Sequence, residues 1–143
     1  MKKIQVMGEI KARSQRWLVM ASLLLMVVVA VACEKEPGKG GLATISGKVW
    51  GRDINANGFL HDSGYAGAVK VYISYGDHEW VDASETTSPS GDFAFQGLQK
   101  GDYRVFVWSQ CDSCLFNQEV REQFVEIKET RQVAVLPDFV IYD

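Results

Sequence analysis

Between Gly91 and Val107 apolar side chains fall on alternate positions, twice over. Phe93 and Phe95 share one face of an extended segment, Leu98 caps it, and Gly101 supplies the turn. Tyr103, Val105 and Val107 then return on one face. Period two on both arms predicts a β-hairpin with one buried face, and such a face needs a second layer to cover it. The same alternation flanks the hairpin. Ile45, Gly47 and Val49 alternate with Thr44, Ser46 and Lys48; Val69, Val71, Ile73 and Tyr75 alternate with Ala68, Lys70, Tyr72 and Ser74. Trp80 to Thr87 is more polar, with Val81 and Ala83 inward, and reads as a strand near a sheet edge. A turn at Ser88-Pro89-Ser90-Gly91 leads into the hairpin. After Trp108 come a loop, a strand around Val120 to Ile127, a turn at Lys128-Glu129-Thr130, and a last strand from Gln132 to Tyr142. Pro137 in that last strand implies a bulge or an edge position. Helical periodicity is missing throughout this region. The pattern predicts an all-β, seven-stranded antiparallel β-sandwich over residues 43–143.

The first 32 residues follow a different rule. Lys2, Lys3, Lys11, Arg13 and Arg16 form a basic region, and from Trp17 to Ala32 every residue but Ser22 is apolar. A spanning helix needs about 20 such residues, so the run reads as a secretory signal rather than a span, with an uncleaved anchor as the alternative. Its ending, Ala30-Val31-Ala32-Cys33, resembles a bacterial lipobox, in which the cysteine becomes the lipid-bearing first residue. The resemblance implies a signal segment 1–32 and a membrane anchor at lipidated Cys33, and two or more acyl chains there would hold firmly. Residues 33–42 are charged and rich in Gly and Pro, a flexible tether. Glu34 and Glu36 resemble the early acidic residues that send some Bacteroidetes-type lipoproteins to the cell surface. The expected location is the cell envelope, at the outer membrane, with the domain in the periplasm or at the surface.

Without the leader the charge shifts. Residues 33–143 carry 10 Lys and Arg against 17 Asp and Glu, a net charge of −7. That balance excludes a basic groove for nucleic acid. The remaining length suits one two-layer domain.

The motif Gly-x-Phe-x-Phe-x-x-Leu-x-x-Gly-x-Tyr-x-Val, spanning Gly91 to Val105, resembles carboxypeptidase-regulatory-like and collagen-adhesin B-type domains. With the strand at Val69 to Ile73, the resemblance covers most of residues 43–143. It implies a prealbumin-like, Ig-like sandwich serving as a stalk, linker, carrier or accessory module, without catalysis. About the ligand it implies almost nothing.

The sharpest chemical signal is Asp53-Ile54-Asn55-Ala56-Asn57-Gly58-Phe59-Leu60-His61-Asp62. Oxygen side chains at alternate positions followed by Gly can wrap a hard cation. Asp53, Asn55 and Asn57 would give side-chain oxygens, Phe59 a carbonyl, and Asp62 could close the site. An EF-hand is excluded, because Gly64 stands where its closing Glu belongs. The loop resembles the calcium loop of serine-aspartate-repeat adhesin B domains, though Tyr65 and Ala66 stand where an acidic ligand commonly follows. With two carboxylates any calcium affinity would be weak, about 0.1–1 mM. An Asx-rich loop bonded to its own backbone is the alternative.

Cys111 and Cys114 flank Asp112-Ser113 in the loop after Trp108. In an exported protein a local disulfide is favoured. A closed zinc site would need two more ligands, and thioredoxin-type chemistry would need a helix after the first cysteine. His61 and His78 sit in polar stretches without a patterned nucleophile or carboxylate, and Gly38-Lys39-Gly40-Gly41 lacks the P-loop spacing. On the non-core side of their strands lie Trp50, Tyr72, Phe106 and Trp108, a candidate aromatic platform for a glycan or protein partner. The sequence thus points to a non-catalytic, lipid-anchored binding or structural module with calcium as its candidate ion. A thiol-active protein using Cys111 and Cys114, or a prealbumin-like small-ligand carrier, is the alternative.

Overall fold

The structure, a computed structural model, describes residues 36–55 and 57–143. The signal segment and Cys33 lie outside the described residues. Nine strands follow in order: β1 (Lys39–Ile54), β2 (Leu60–Tyr65), β3 (Lys70–Tyr75), β4 (Ala83–Thr86), β5 (Asp92–Leu98), β6 (Gly101–Gln110), β7 (Gln118–Ile127), β8 (Val133–Val135) and β9 (Phe139–Tyr142). A single 3₁₀ turn, Leu115–Asn117, precedes β7.

The strands form two sheets, one of β1, β2, β5, β8 and β9 and the other in the order β4-β3-β6-β7. In the first, β1 is the shared axis. Its N-terminal half pairs with antiparallel β5 and parallel β8, and its C-terminal half with antiparallel β2 and parallel β9. The exchange from β5 to β2 occurs at Val49, whose N–H donates to Gly91 and whose carbonyl accepts from Ala66. Gly91 is required there: it has φ +77°, and a Cβ on it would meet the Val49 carbonyl oxygen at 2.7 Å.

Alternation places Ile45, Val49, Phe93, Phe95 and Leu98 of one sheet against Val71, Ile73, Tyr103, Val105, Val107 and Ile127 of the other. Leu136, Phe139 and Ile141 close the core from the C-terminal segment. The polar side chains buried among them are all bonded. Ser74 donates to the Trp80 carbonyl (2.6 Å), Thr87 to the Ala66 carbonyl (2.7 Å), and the Ser109 hydroxyl accepts from the Tyr142 N–H (2.9 Å). The expected two-layer all-β sandwich is therefore present, with three departures from the expected detail.

The described residues form nine strands rather than seven. Leu60–Tyr65, read as loop, is paired to β1 as a hairpin arm, held by backbone bonds although its side chains show no apolar alternation. Pro137 divides the last strand into β8 and β9, and both lie at the sheet edge with β1 as their partner, the edge position its sequence implied. The sandwich is not wholly antiparallel either. The chain crosses from β7 in one sheet to the free side of β1 in the other, and it arrives there running parallel to β1.

At the N-terminal end, β1 begins at Lys39, so Lys39 to Leu42 are strand rather than tether. Gly38 is pinned just before it. The Tyr103 hydroxyl accepts from the Gly38 N–H (2.9 Å) and donates to the Gln99 carbonyl (2.8 Å), while the Gln99 N–H donates to the Gly38 carbonyl (2.8 Å). Burial pushes the Tyr103 phenol up from its ordinary pKa.

Candidate functional site

On the outer face of the β4-β3-β6-β7 sheet, the register sets Tyr72 beside Phe106 and Phe106 beside Glu122, with Arg104 beside Phe124 and Trp108 beside Val120. No further layer of the described residues covers this face. Phe106 is nonetheless only 6% exposed, because the Tyr72 ring stacks on it at 5.4 Å and the Arg104 guanidinium lies 5.2 Å from its centroid. It forms the floor of the patch, not its contact surface. Trp108 (46% exposed) and Phe124 (73% exposed) stand clear of it. The two are on adjacent strands and four residues out of register, so roughly 13 Å separates them along the strands. Arg104 holds the Glu79 carbonyl at 3.2 Å and faces Glu122 at 3.8 Å, leaving charged groups between the rings.

Trp50 belongs elsewhere. It lies on the outer side of β1 in the opposite sheet, edge-on to Tyr65 at 4.9 Å. The expected four-ring platform of Phe106, Trp108, Trp50 and Tyr72 is therefore corrected: Tyr72, Phe106 and Trp108 share a face, and Trp50 is on the other side of the sandwich. Phe124 and Trp80 went unrecognised in the sequence. In β7 the polar residues Glu119, Arg121 and Gln123 look like the solvated face, yet they point to the sandwich side, since the register is set by Val125 and Ile127. Val81, expected inward, is exposed, because residues 77–82 form a loop and β4 starts only at Ala83. That loop lies over the Ser74 end of the face, carrying Trp80 into solvent.

In the Asp53 hairpin, Asp53 and Asp62 are direct cross-strand partners. Like charges so placed repel, and the His61 ring at 3.2 Å from Asp53 is the nearest relief. Asn55 Oδ1 accepts from the N–H groups of Asn57 (3.0 Å) and Phe59 (3.1 Å), an Asx turn, and the Phe59 carbonyl accepts from the Asn55 N–H (3.0 Å). Asp62 accepts from the Ser63 N–H at 2.8 Å. The hairpin thus sets two carboxylates opposite each other. Asn55 Oδ1 already accepts two backbone N–H groups, so the ligand role expected of Asn55 is corrected, whereas the Phe59 carbonyl accepts one and keeps a second lone pair.

Cys111 and Cys114 are joined by a disulfide. Glu119 offers a carboxylate oxygen within 4.8 Å of both sulfurs, but it is ion-paired with Arg121. The bonded sulfurs are no thiolate ligands in this state.

One carboxylate is held by several donors. Asp82 accepts from the Tyr75 N–H (2.7 Å), from the His78 ring (2.9 Å) and from the Trp80 indole (3.1 Å), and the His78 ring stacks on Trp80 at 4.2 Å. Partial burial would push the Asp82 carboxyl up, but these bonds outweigh it and hold the group below its usual range. These bonds fix the 77–82 loop against the end of β3. On the open side between β4 and β5 a groove of about 460 Å³ is lined by Lys48, Glu85, Asp92 and Phe93. Two of these charges, Lys48 and Asp92, pair with each other at 3.0 Å. The hydrogen bond and charge of Asp92 raise the Lys48 pKa.

No family model matches the chain, and no curated protein matches it. Among solved structures it is similar to a "putative carbohydrate binding protein" from Pseudomonas aeruginosa. The identity is 16% and the TM-score 0.41, covering 70% of this chain and 90% of that one. A likeness at that level carries nothing about a ligand.

Proposed function

We propose that this protein is a non-catalytic binding module, held in the cell envelope through lipidated Cys33, whose contact surface is the outer face of β3, β6 and β7. The observation that carries the reading is the exposure of Trp108 and Phe124 on one sheet face, with Arg104 and Glu122 between them. Flat rings with charged hydrogen-bonding groups between them suit a glycan chain, whose C–H faces stack on rings and whose hydroxyls bond to the charged side chains. A binding role is supported also by the core, whose buried hydroxyls of Ser74, Thr87 and Ser109 are each held by a backbone group. The domain itself is a prealbumin-like sandwich of the adhesin B type in this reading.

The test is affinity electrophoresis in gels containing soluble polysaccharides. The wild type is retarded by at least one of them, and the Trp108→Ser, Phe124→Ser double variant is not, at an unchanged melting temperature. Retardation surviving in the double variant would sink the assignment of the face. The anchor is read separately, by incorporation of labelled palmitate that disappears in Cys33→Ala.

Calcium enters this reading as a stabiliser of the β1–β2 hairpin. The ion would relieve the repulsion between Asp53 and Asp62, and Asn57 and the Phe59 carbonyl would complete its oxygen shell.

A further inference from the structure

Two loops leave the sandwich at the same end. One leads from Ile54 of β1 toward Phe59, and the other, residues 111–117, follows Gln110 of β6. The C-terminal Asp143 ties these exits together: its carbonyl accepts from the Ile54 N–H (3.4 Å) and its carboxylate from the Gln110 side chain (3.4 Å). The apolar side chains at this end are among the most exposed in the domain: Phe116 at 87%, Leu115 at 80%, Phe59 at 71% and Leu60 at 57%. Large apolar groups gathered on adjacent tips mark a contact surface more often than scattered ones do.

The 111–117 loop also holds Leu115 and Phe116 out at a cost. Phe116 (φ 64°) and Asn117 (φ 55°) both occupy the left-handed region without being glycine. The disulfide and three backbone bonds lock that shape: Cys114 N–H to the Cys111 carbonyl, Asn117 N–H to the Cys114 carbonyl, and Cys111 N–H to the Asn117 carbonyl, each 3.1 Å. These bonds and the bridge fix the loop so that Leu115 and Phe116 project from it. A plain turn would need neither the bridge nor a Phe in that conformation.

The charge at this end selects the partner. Asp112 in the disulfide loop and Asp143 between the two exits make this end acidic whether or not an ion occupies Asp53 and Asp62, and Arg52 and His61 are the basic groups on the hairpin. We infer that this end is a docking surface for a protein whose own contact patch is an apolar depression flanked by Lys and Arg side chains. An anionic bilayer and a second copy of this chain would both set like charge against this acidic rim. The surface is separate from the Trp108 face, so the inference stands apart from the glycan reading.

The full chain in phosphatidylcholine nanodiscs is titrated with synthetic twelve-residue peptides that carry a Leu-Phe core flanked either by Lys or by Glu. The Lys-flanked peptide binds saturably and at least tenfold tighter than the Glu-flanked one. Leu115→Ser with Phe116→Ser weakens it at least tenfold while glycan retardation is retained, and Cys111→Ser with Cys114→Ser, which frees the loop, weakens it several-fold. Equal binding of the two peptides, or no loss in the Leu115, Phe116 variant, overturns the inference. So does transfer of the tips onto protein-free phosphatidylglycerol vesicles, or self-association that the same variant abolishes.

Discussion

Replacing Tyr103 by Phe removes one oxygen atom and leaves the buried ring in place. That oxygen accepts from the Gly38 N–H and donates to the Gln99 carbonyl, so the change orphans one donor and one acceptor where the chain joins the central hairpin. Gly38 is buried, so its N–H gains no water in exchange. The Gly38 carbonyl keeps the Gln99 N–H, which confines the loss to those two groups. A buried donor left unpaired costs about 1–3 kcal/mol, and the half-buried acceptor adds less, so about 2 kcal/mol is expected. For a domain of this size that lowers the melting temperature by about 5–10 °C. Urea titration should show the midpoint falling at constant slope, and hydrogen exchange at the Gly38 amide should accelerate well beyond that of Ile45. The ionisation of Tyr103 gives an independent reading. Its pKa is raised in the folded state, so its contribution is complete below the unfolded value near 10 and is lost as pH climbs toward the folded one. The Phe variant should lack that alkaline loss. A stability change under about 0.5 kcal/mol, within the range of ordinary surface substitutions, would refute the pinning role.

Three further outcomes follow from the same geometry. Phe106→Ala should destabilise by about 3 kcal/mol as a buried ring is lost, whereas Phe124→Ser should change stability by less than about 0.5 kcal/mol; thermal melts of the two variants check the contrast. Asp82 has its carboxyl pKa lowered in the fold, so its stabilisation is present above the unfolded value near 3.8 and is lost as pH falls below it. Asp82→Asn should flatten the acid limb of the stability profile, and an unchanged acid limb would refute the role. Calcium at about 1–5 mM, above the affinity expected of extracellular modules, should raise the wild-type melting temperature and leave Asp53→Ala unmoved; no shift in wild type removes the ion from the account.

Much of the sandwich was legible because its signals are local. Phe93, Phe95, Tyr103, Val105 and Val107 announce their buried face by alternation alone, and all five are core. What stayed hidden depends on distant partners. Leu60–Tyr65 has no apolar rhythm and becomes a strand only because β1 extends far enough to pair with it. The parallel course of β8 and β9 is set by the path of the chain across the sandwich, which leaves no mark on the residues themselves. Phe106 was correctly assigned to the outer side, but its burial comes from Tyr72 and Arg104, partners fixed by register and not by neighbours in the chain. The exposure of Leu115 and Phe116 was equally hidden, since adjacent apolar residues beside a strand resemble core until the 3₁₀ turn is seen to lift them clear.

The central claim is that the outer face of β3, β6 and β7 makes the contact. The direct measurement is an amide and indole chemical-shift titration with the polysaccharide that retards the protein most. The account predicts that shifts concentrate at Tyr72, Arg104, Trp108, Glu122 and Phe124, with Trp50 and Tyr65 on the opposite sheet unmoved. Shifts centred on Trp50 and Tyr65, or on the groove beside Lys48 and Asp92, would contradict it.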